Sequence, residues 1–379
     1  MEHKDEKLSI PILRNWIAYK QEVPCQGHYE YELLSDVSIT GDSGDTDFGP
    51  YKFMTAFKRG KEIEASSIVR IDNRLLNNQI PSIDKTNVEY YHGGGLVDEI
   101  AAFVSLMLGI RVKAGRMIRE FRSSDDRFGH PVGWDKIQTI PEIKPLYGQY
   151  KLPAVIRESN IVLFQPFKSL PELSEDNVIF LIKAARLYQN ALWIAETDPS
   201  LAWIMFVSAL ETAAEQWRKN QEPPSTRLMA AKPGLYDYLI SLNIPDIVDK
   251  VATHITDSLG VTQKFSDFVV NFFPNPPESR PPLAFQCSWD MVEIQKMMKI
   301  IYNYRSKALH DGTPFPWPMC EAPIRLPDFL APAEKPPGLG AFARNGTWLI
   351  KDTPMLLNTF EYITRKCLLA WWGQLNNKV

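Results

Sequence analysis

Arg305 stands where a charge is costly. In the stretch that follows Asp290, Ile294, Met297, Met298, Ile301, Tyr304, Ala308 and Leu309 recur at i, i+3, i+4 spacing, which gathers them on one face of a helix. Arg305 falls inside that apolar stripe. A guanidinium there requires an acid, a phosphate or a second subunit as partner. Five residues on, His310 occupies the expected last turn, where the negative end of the macrodipole favours its protonated form. A cationic His310 suits an acid that protonates a leaving group. Positions five apart on an ideal helix differ by about 140° of azimuth, so the pair does not share one face. For the two to act together, either the last turn unwinds before Gly312 or a second chain supplies one of them. The bland alternative is a helix end whose Arg305, Lys307 and His310 merely complement the dipole and cap carbonyls.

The element carrying these residues has clear ends. Asp290 and Glu293 have capping-box spacing, and Gly312 is placed as a left-handed terminator, so a helix is expected over 291–310. It belongs to a long helical half. Helices are expected over 177–195, from the Asp198-Pro199 cap to about 219, and over 234–242, 247–259, 261–272 and 355–372. The proline-rich run NFFPNPPESRPPL interrupts them, because proline lacks the amide donor. Residues 313–353, with TPFPWP and EKPPGLG, read as a long irregular excursion.

The first part of the chain has a different texture. Strands are expected at 29–34, 51–57, 66–71 and 161–167, with one helix after His92-Gly93-Gly94-Gly95 in which Leu96, Ile100, Phe103, Val104 and Met107 recur until Gly109. The expectation is an α+β domain over 1–170 followed by an all-α helical bundle over 171–379 that carries a Pro-rich insertion at 313–353.

Composition narrows the function classes. The 379 residues include 45% hydrophobic and 23% charged residues, enough for about two packed domains. A net charge of -3 excludes a strongly basic nucleic-acid coat, so any RNA contact must be local. Four scattered cysteines form no CxxC pair and no Cys/His cluster at zinc spacing, which reads as incidental reduced thiols and no metal or cofactor. No run approaches the ~18 apolar residues of a membrane span, and MEHKDEKLSIPILRNW has no apolar leader segment. A cytoplasmic protein without membrane association is expected.

Three further motifs favour structural readings. His92-Gly-Gly-Gly could cradle a phosphate on backbone amides, but it lacks the Lys-Ser/Thr of a P-loop and reads as a flexible start to the helix. Asp125, Asp126 and His130 in RSSDDRFGHPVGW read as a polar loop rather than a metal site. Trp193, Trp203, Trp217, Trp371 and Trp372 read as bundle core or dimer interface.

The segment Tyr304-Arg305-Ser306-Lys307-Ala308-Leu309-His310-Asp311-Gly312 resembles the R-x4-H signature of HEPN-superfamily nucleases, in the flavour of the Apea-like group. SALETAAEQW, Ser208 to Trp217, is similar to the acidic-flanked apolar helix that precedes the motif helix there. The resemblance covers residues 175–375. It implies an all-α HEPN-like helical bundle that dimerises through its helices, with Arg and His of both protomers in a shared cleft. Arg305 would stabilise the scissile phosphate and His310 would act as general acid/base, with Ser306 where many members place a polar residue and Lys307 as a supporting cation. Glu211 either pairs with Arg305 or is a solvated residue beside Glu215, the second being the simpler reading. The implied reaction is metal-independent endoribonuclease cleavage by 2′-hydroxyl attack, in prokaryotic defence, toxin or stress systems. RNA, a second copy and a cognate regulator protein are the implied partners, with the first domain sensing a trigger or selecting substrate. The alternatives are a catalytically inactive module that binds RNA, nucleotide or a partner protein, and a first domain that holds the enzymology. Active enzyme requires basic groups such as Arg280, Arg305 and Lys307 to converge.

Overall fold

The structure is a computed structural model that describes residues 10–41, 48–57, 62–75, 86–122, 126–133, 143, 145, 148–219, 223–255, 261–325 and 331–376. The chain forms two compact units, Met1–Met205 with Trp372–Val379, and Phe206–Trp371.

In the first unit, α1 (Pro11–Lys20) precedes β1 (Gly27–Ser35), β2 (Ile39–Thr40), β3 (Tyr51–Thr55) and β4 (Glu64–Asn73). Then come α2 (Leu96–Leu108), β5 (Lys113–Phe121), β6 (His130–Pro131), β7 (Ser159–Asn160) and α3 (Glu175–Ile194). An antiparallel sheet runs β3-β4-β1-β5-β6. Alternation in β1 decides its faces: Tyr29 and Tyr31 stand opposite Ile71 and Val69, while Glu30 stands opposite Arg70 on the other side. α2 is apolar almost all round and is buried from Ile100 to Leu108, as a helix enclosed by other elements must be. It packs on α3 and β5. Gly109, in the left-handed region at φ 66°, ends it as expected. Arg111, fully buried, bonds Asp36, Glu196 and the Leu192 carbonyl, which is what a guanidinium in a core requires.

Four sequence expectations change here. Residues 161–167 are not a strand but part of a 3-10 helix, Ile161–Glu172. Its buried residues Ile161, Phe164, Phe167 and Leu170 are three apart, the 3-10 period, and Pro166 and Pro171 would deny a strand two ladder donors. β5 was hidden by its glycine: a Cβ on Gly115 would lie 2.8 Å from the Glu32 carbonyl oxygen, beside a register irregularity. α1 was also unread; its Asn15 is buried, donating to the Asp72 carbonyl and accepting from the Arg74 amide. Finally, α3 lies in the unit with the sheet, so the compact units divide inside α4 (Pro199–Lys219) rather than near residue 170.

The second unit contains the remainder of α4, α5 (Pro224–Ala231), α6 (Pro233–Ser241), α7 (Ile247–Ile255), α8 (Val261–Asn271) and α9 (Met291–His310). After them come β8 (Gly340–Ala343), β9 (Gly346–Leu349) and α10 (Leu357–Asn376), whose last residues belong to the first unit. The helix expected over 247–259 is described to Ile255; residues 256–260 lie outside the described residues. Phe206 faces Phe360, and Phe268 meets Trp217 and Trp371, so the tryptophans read as core are core. The stretch 313–353 is more than an excursion: β8 and β9 form a hairpin, and Phe315, Met319 and Cys320 are buried. An N-terminal α+β part followed by a helical part is the architecture expected from the sequence.

Candidate functional site

The site residues lie on α9 and α4 in the second unit. The side chain of Asp290 accepts the Val292 and Glu293 amides, starting α9 where the sequence places it. Glu293 does not complete a capping box but turns to Lys296 at 2.7 Å. Ile294, Met298 and Ile301 are buried and fix the rotation of the helix. At the other end, Gly312 is left-handed at φ 67°, and the Asp311 and Thr313 amides both return to the Lys307 carbonyl. The last turn is therefore intact through His310.

That rotation leaves Arg305 partly buried, its side chain 20% exposed. Nη2 donates to Glu211 Oε2 at 2.6 Å, and Tyr302 Oη donates to Glu211 Oε1 at 3.0 Å. The guanidinium carbon lies 5.6 Å from the Tyr302 ring centroid. Arg305 Nε is buried and has no hydrogen-bond partner among the described residues. Glu211 is held by α4, where Ala209, Leu210, Ala213 and Ala214 are buried and turn the carboxylate toward α9. The simpler sequence reading, a solvated Glu211, is thus corrected: its side chain is 14% exposed and takes the arginine. Glu215 instead meets Lys264 at 3.2 Å.

Burial raises the Glu211 acid above its ordinary range, against the charge of Arg305 and the hydrogen bonds from Tyr302 and Arg305. Burial and the Glu211 charge push the Tyr302 phenol up to about 12, so it stays a donor at physiological pH. Tyr302 was missed in the sequence. Its signal was the i, i+3 spacing to Arg305, which places the two side chains on adjacent turns.

His310 and Lys307 are exposed, and Ser306 is half-buried. Because α9 is unbroken, Arg305 and His310 leave it about 140° apart. One chain does not bring them together on one face. Leu309, assigned to the apolar stripe, is 50% exposed. The convergence expected of Arg280 with Arg305 is not found: the Arg280 guanidinium grips both oxygens of Glu334 at 2.8 and 2.5 Å and also donates to the Cys287 carbonyl, while Arg305 meets Glu211.

The other candidates resolve as structure. The His92 side chain is buried and bonds Glu99 at 2.7 Å, Glu99 also accepts the Ile12 amide, and Arg186 holds the Gly93 carbonyl. The start of α2 is therefore anchored rather than free. Asp126 caps the Gly129 amide and sits 3.5 Å from His130; Asp125 lies outside the described residues. Cys25 Sγ and Asp72 Oδ1 both approach the same ring nitrogen of His28, at 3.9 and 2.7 Å, so that imidazole cannot relay a proton between them. Among the described residues no group of three or more His, Cys, Asp or Glu is placed to hold a metal ion. No described helix is long and apolar enough to cross a membrane.

Comparison of the chain with protein-family models, with curated proteins and with solved structures found no match in any of the three.

Proposed function

We propose that the second unit is an endoribonuclease of the HEPN kind, with Arg305 and His310 acting in a cleft completed by a second copy of the chain. The observation that carries this reading is the guanidinium of Arg305, oriented by Glu211 through Nη2 while its side chain stays 20% exposed. Such a group is preorganised for a phosphate oxygen. The RNA 2′-hydroxyl attacks phosphorus, the bond to the 5′-oxygen breaks, and a 2′,3′-cyclic phosphate forms. The 2′-hydroxyl proton passes to a base, and His310 gives a proton to the departing 5′-oxygen. The exposed His310 at the helix end is open to a partner, and the azimuth between it and Arg305 is why the cleft needs two chains.

A second reading, a catalytically silent module that binds RNA or a partner protein, is favoured by the ion pair itself, since Glu211 already neutralises Arg305. The test compares wild type, Arg305→Ala and His310→Ala on labelled RNAs in EDTA, with end mapping. Cleavage to cyclic phosphate by wild type, reduced at least about a hundredfold in both variants, is the expected result. Retention of RNA binding without cleavage by any of the three would support the silent module.

A further inference from the structure

The core-side face of the sheet in the first unit is incompletely covered, and a cavity of about 670 Å³ opens between β1, β4, β5 and the first turn of α2. That volume falls within the roughly 300–1,000 Å³ of small-molecule sites. Its floor is set by strand geometry. Tyr29 and Tyr31 are two apart on β1 and share a face, with Ile71 opposite the first and Met117 opposite the second. Two aromatic rings beside a branched aliphatic and a thioether make a surface on which a flat π-system stacks.

The rim is polar at two places. Asn73 accepts the Leu75 amide with Oδ1 at 3.2 Å, which leaves its two amide protons for a ligand. Asp98 holds the Gly95 amide with Oδ2 at 2.9 Å, and its side chain is 46% exposed. A carboxylate in that position accepts from sugar hydroxyls. No Lys, Arg or His side chain is among the described residues that line the cavity; the cation beside Asp98 is Arg186, whose Nη1 lies 3.8 Å from Asp98 Oδ1 and whose Nη2 donates to the Gly93 carbonyl, so it is engaged with the rim rather than offered to a phosphate.

We propose that this cavity binds a nucleoside: the base lies on Tyr29 and Tyr31, Asn73 reads its edge, and Asp98 takes a ribose hydroxyl. The site is independent of Arg305 and stands whether or not the second unit cleaves RNA. Burial and the neighbouring Tyr29 raise the Tyr31 phenol, so its hydroxyl remains a donor across the physiological range.

The test is calorimetric titration of the full chain with adenosine, guanosine, cytidine and uridine and with their 5′-monophosphates. Two variants accompany it. Gly95 lies in ordinary extended backbone at φ -103°, and a Cβ there meets nothing within 4 Å, so the backbone accepts a side chain and Gly95→Phe introduces a ring at the cavity wall. Asn73→Ala removes the reading amide. Saturable binding of at least one nucleoside, weakened about tenfold or more in both variants, with the melting temperature unchanged in Gly95→Phe and the binding intact in Arg305→Ala, is expected. Absence of binding by all four nucleosides at millimolar concentration would overturn the proposal, as would unchanged binding in both variants. Tighter binding of the monophosphates than of the nucleosides would overturn the ligand class.

Discussion

Glu211 and Arg305 hold each other with side chains 14% and 20% exposed, so removing one leaves the other poorly solvated. Glu211→Ala is expected to cost about 1–3 kcal/mol at neutral pH, because Arg305 and Tyr302 both lose their acceptor. Denaturant titration measures it. The pH dependence has a definite sign. The folded-state acid of Glu211 lies above its ordinary 4.5, so its contribution to stability is fully present below that value and lost as pH rises through the raised value. The stability of wild type relative to Glu211→Gln is therefore expected to be highest below pH 4.5 and to fall as pH rises. A difference that grows with pH would contradict the burial-dominated assignment. The partnership of Arg305 was legible as a demand, since a cation in an apolar stripe needs an acid. Which acid it was depended on how α4 rotates, and that is set by packing rather than by any local pattern.

α9 is held at both ends by local chemistry. Asp290→Ala removes the acceptor for two amides and is expected to destabilise the chain by about 1 kcal/mol, read as a lowered denaturation midpoint. This locality explains what the sequence revealed. Asp290, Gly312, Gly109 and the Asp198-Pro199 start are signals confined to a few residues, and each marks the helix end that it specifies. Elements decided by distant partners were harder to read. β5 exists because β1 pairs with it, and its Gly115 is explained only by the Glu32 backbone above it. The 3-10 helix over Ile161–Glu172 had a readable period of three that resembled a strand in composition. Within 313–353, proline and glycine read as an irregular excursion outside the core, but the buried Phe315 and Met319 show that the segment supplies core.

At the scale of the whole chain, a net charge of -3 leaves RNA attraction to a few local cations. Arg280 is spent on Glu334 and Lys264 on Glu215, whereas Lys307 and His310 are exposed at the end of α9. A shallow salt dependence of RNA binding is expected, and Lys307→Ala should lower its log–log slope by about one. The proposed requirement for two copies carries the most direct consequence. If the cleft takes Arg305 from one chain and His310 from another, activity lost in each single variant returns in part when they share a dimer. The measurement is cleavage of labelled RNA in EDTA by co-expressed, co-purified Arg305→Ala and His310→Ala chains, beside each variant alone. Inactive single variants with cyclic-phosphate cleavage restored in the mixed dimer are the expected result. Full activity in either single variant, or a mixed dimer as inactive as its parents beside an active wild type, would contradict the shared cleft.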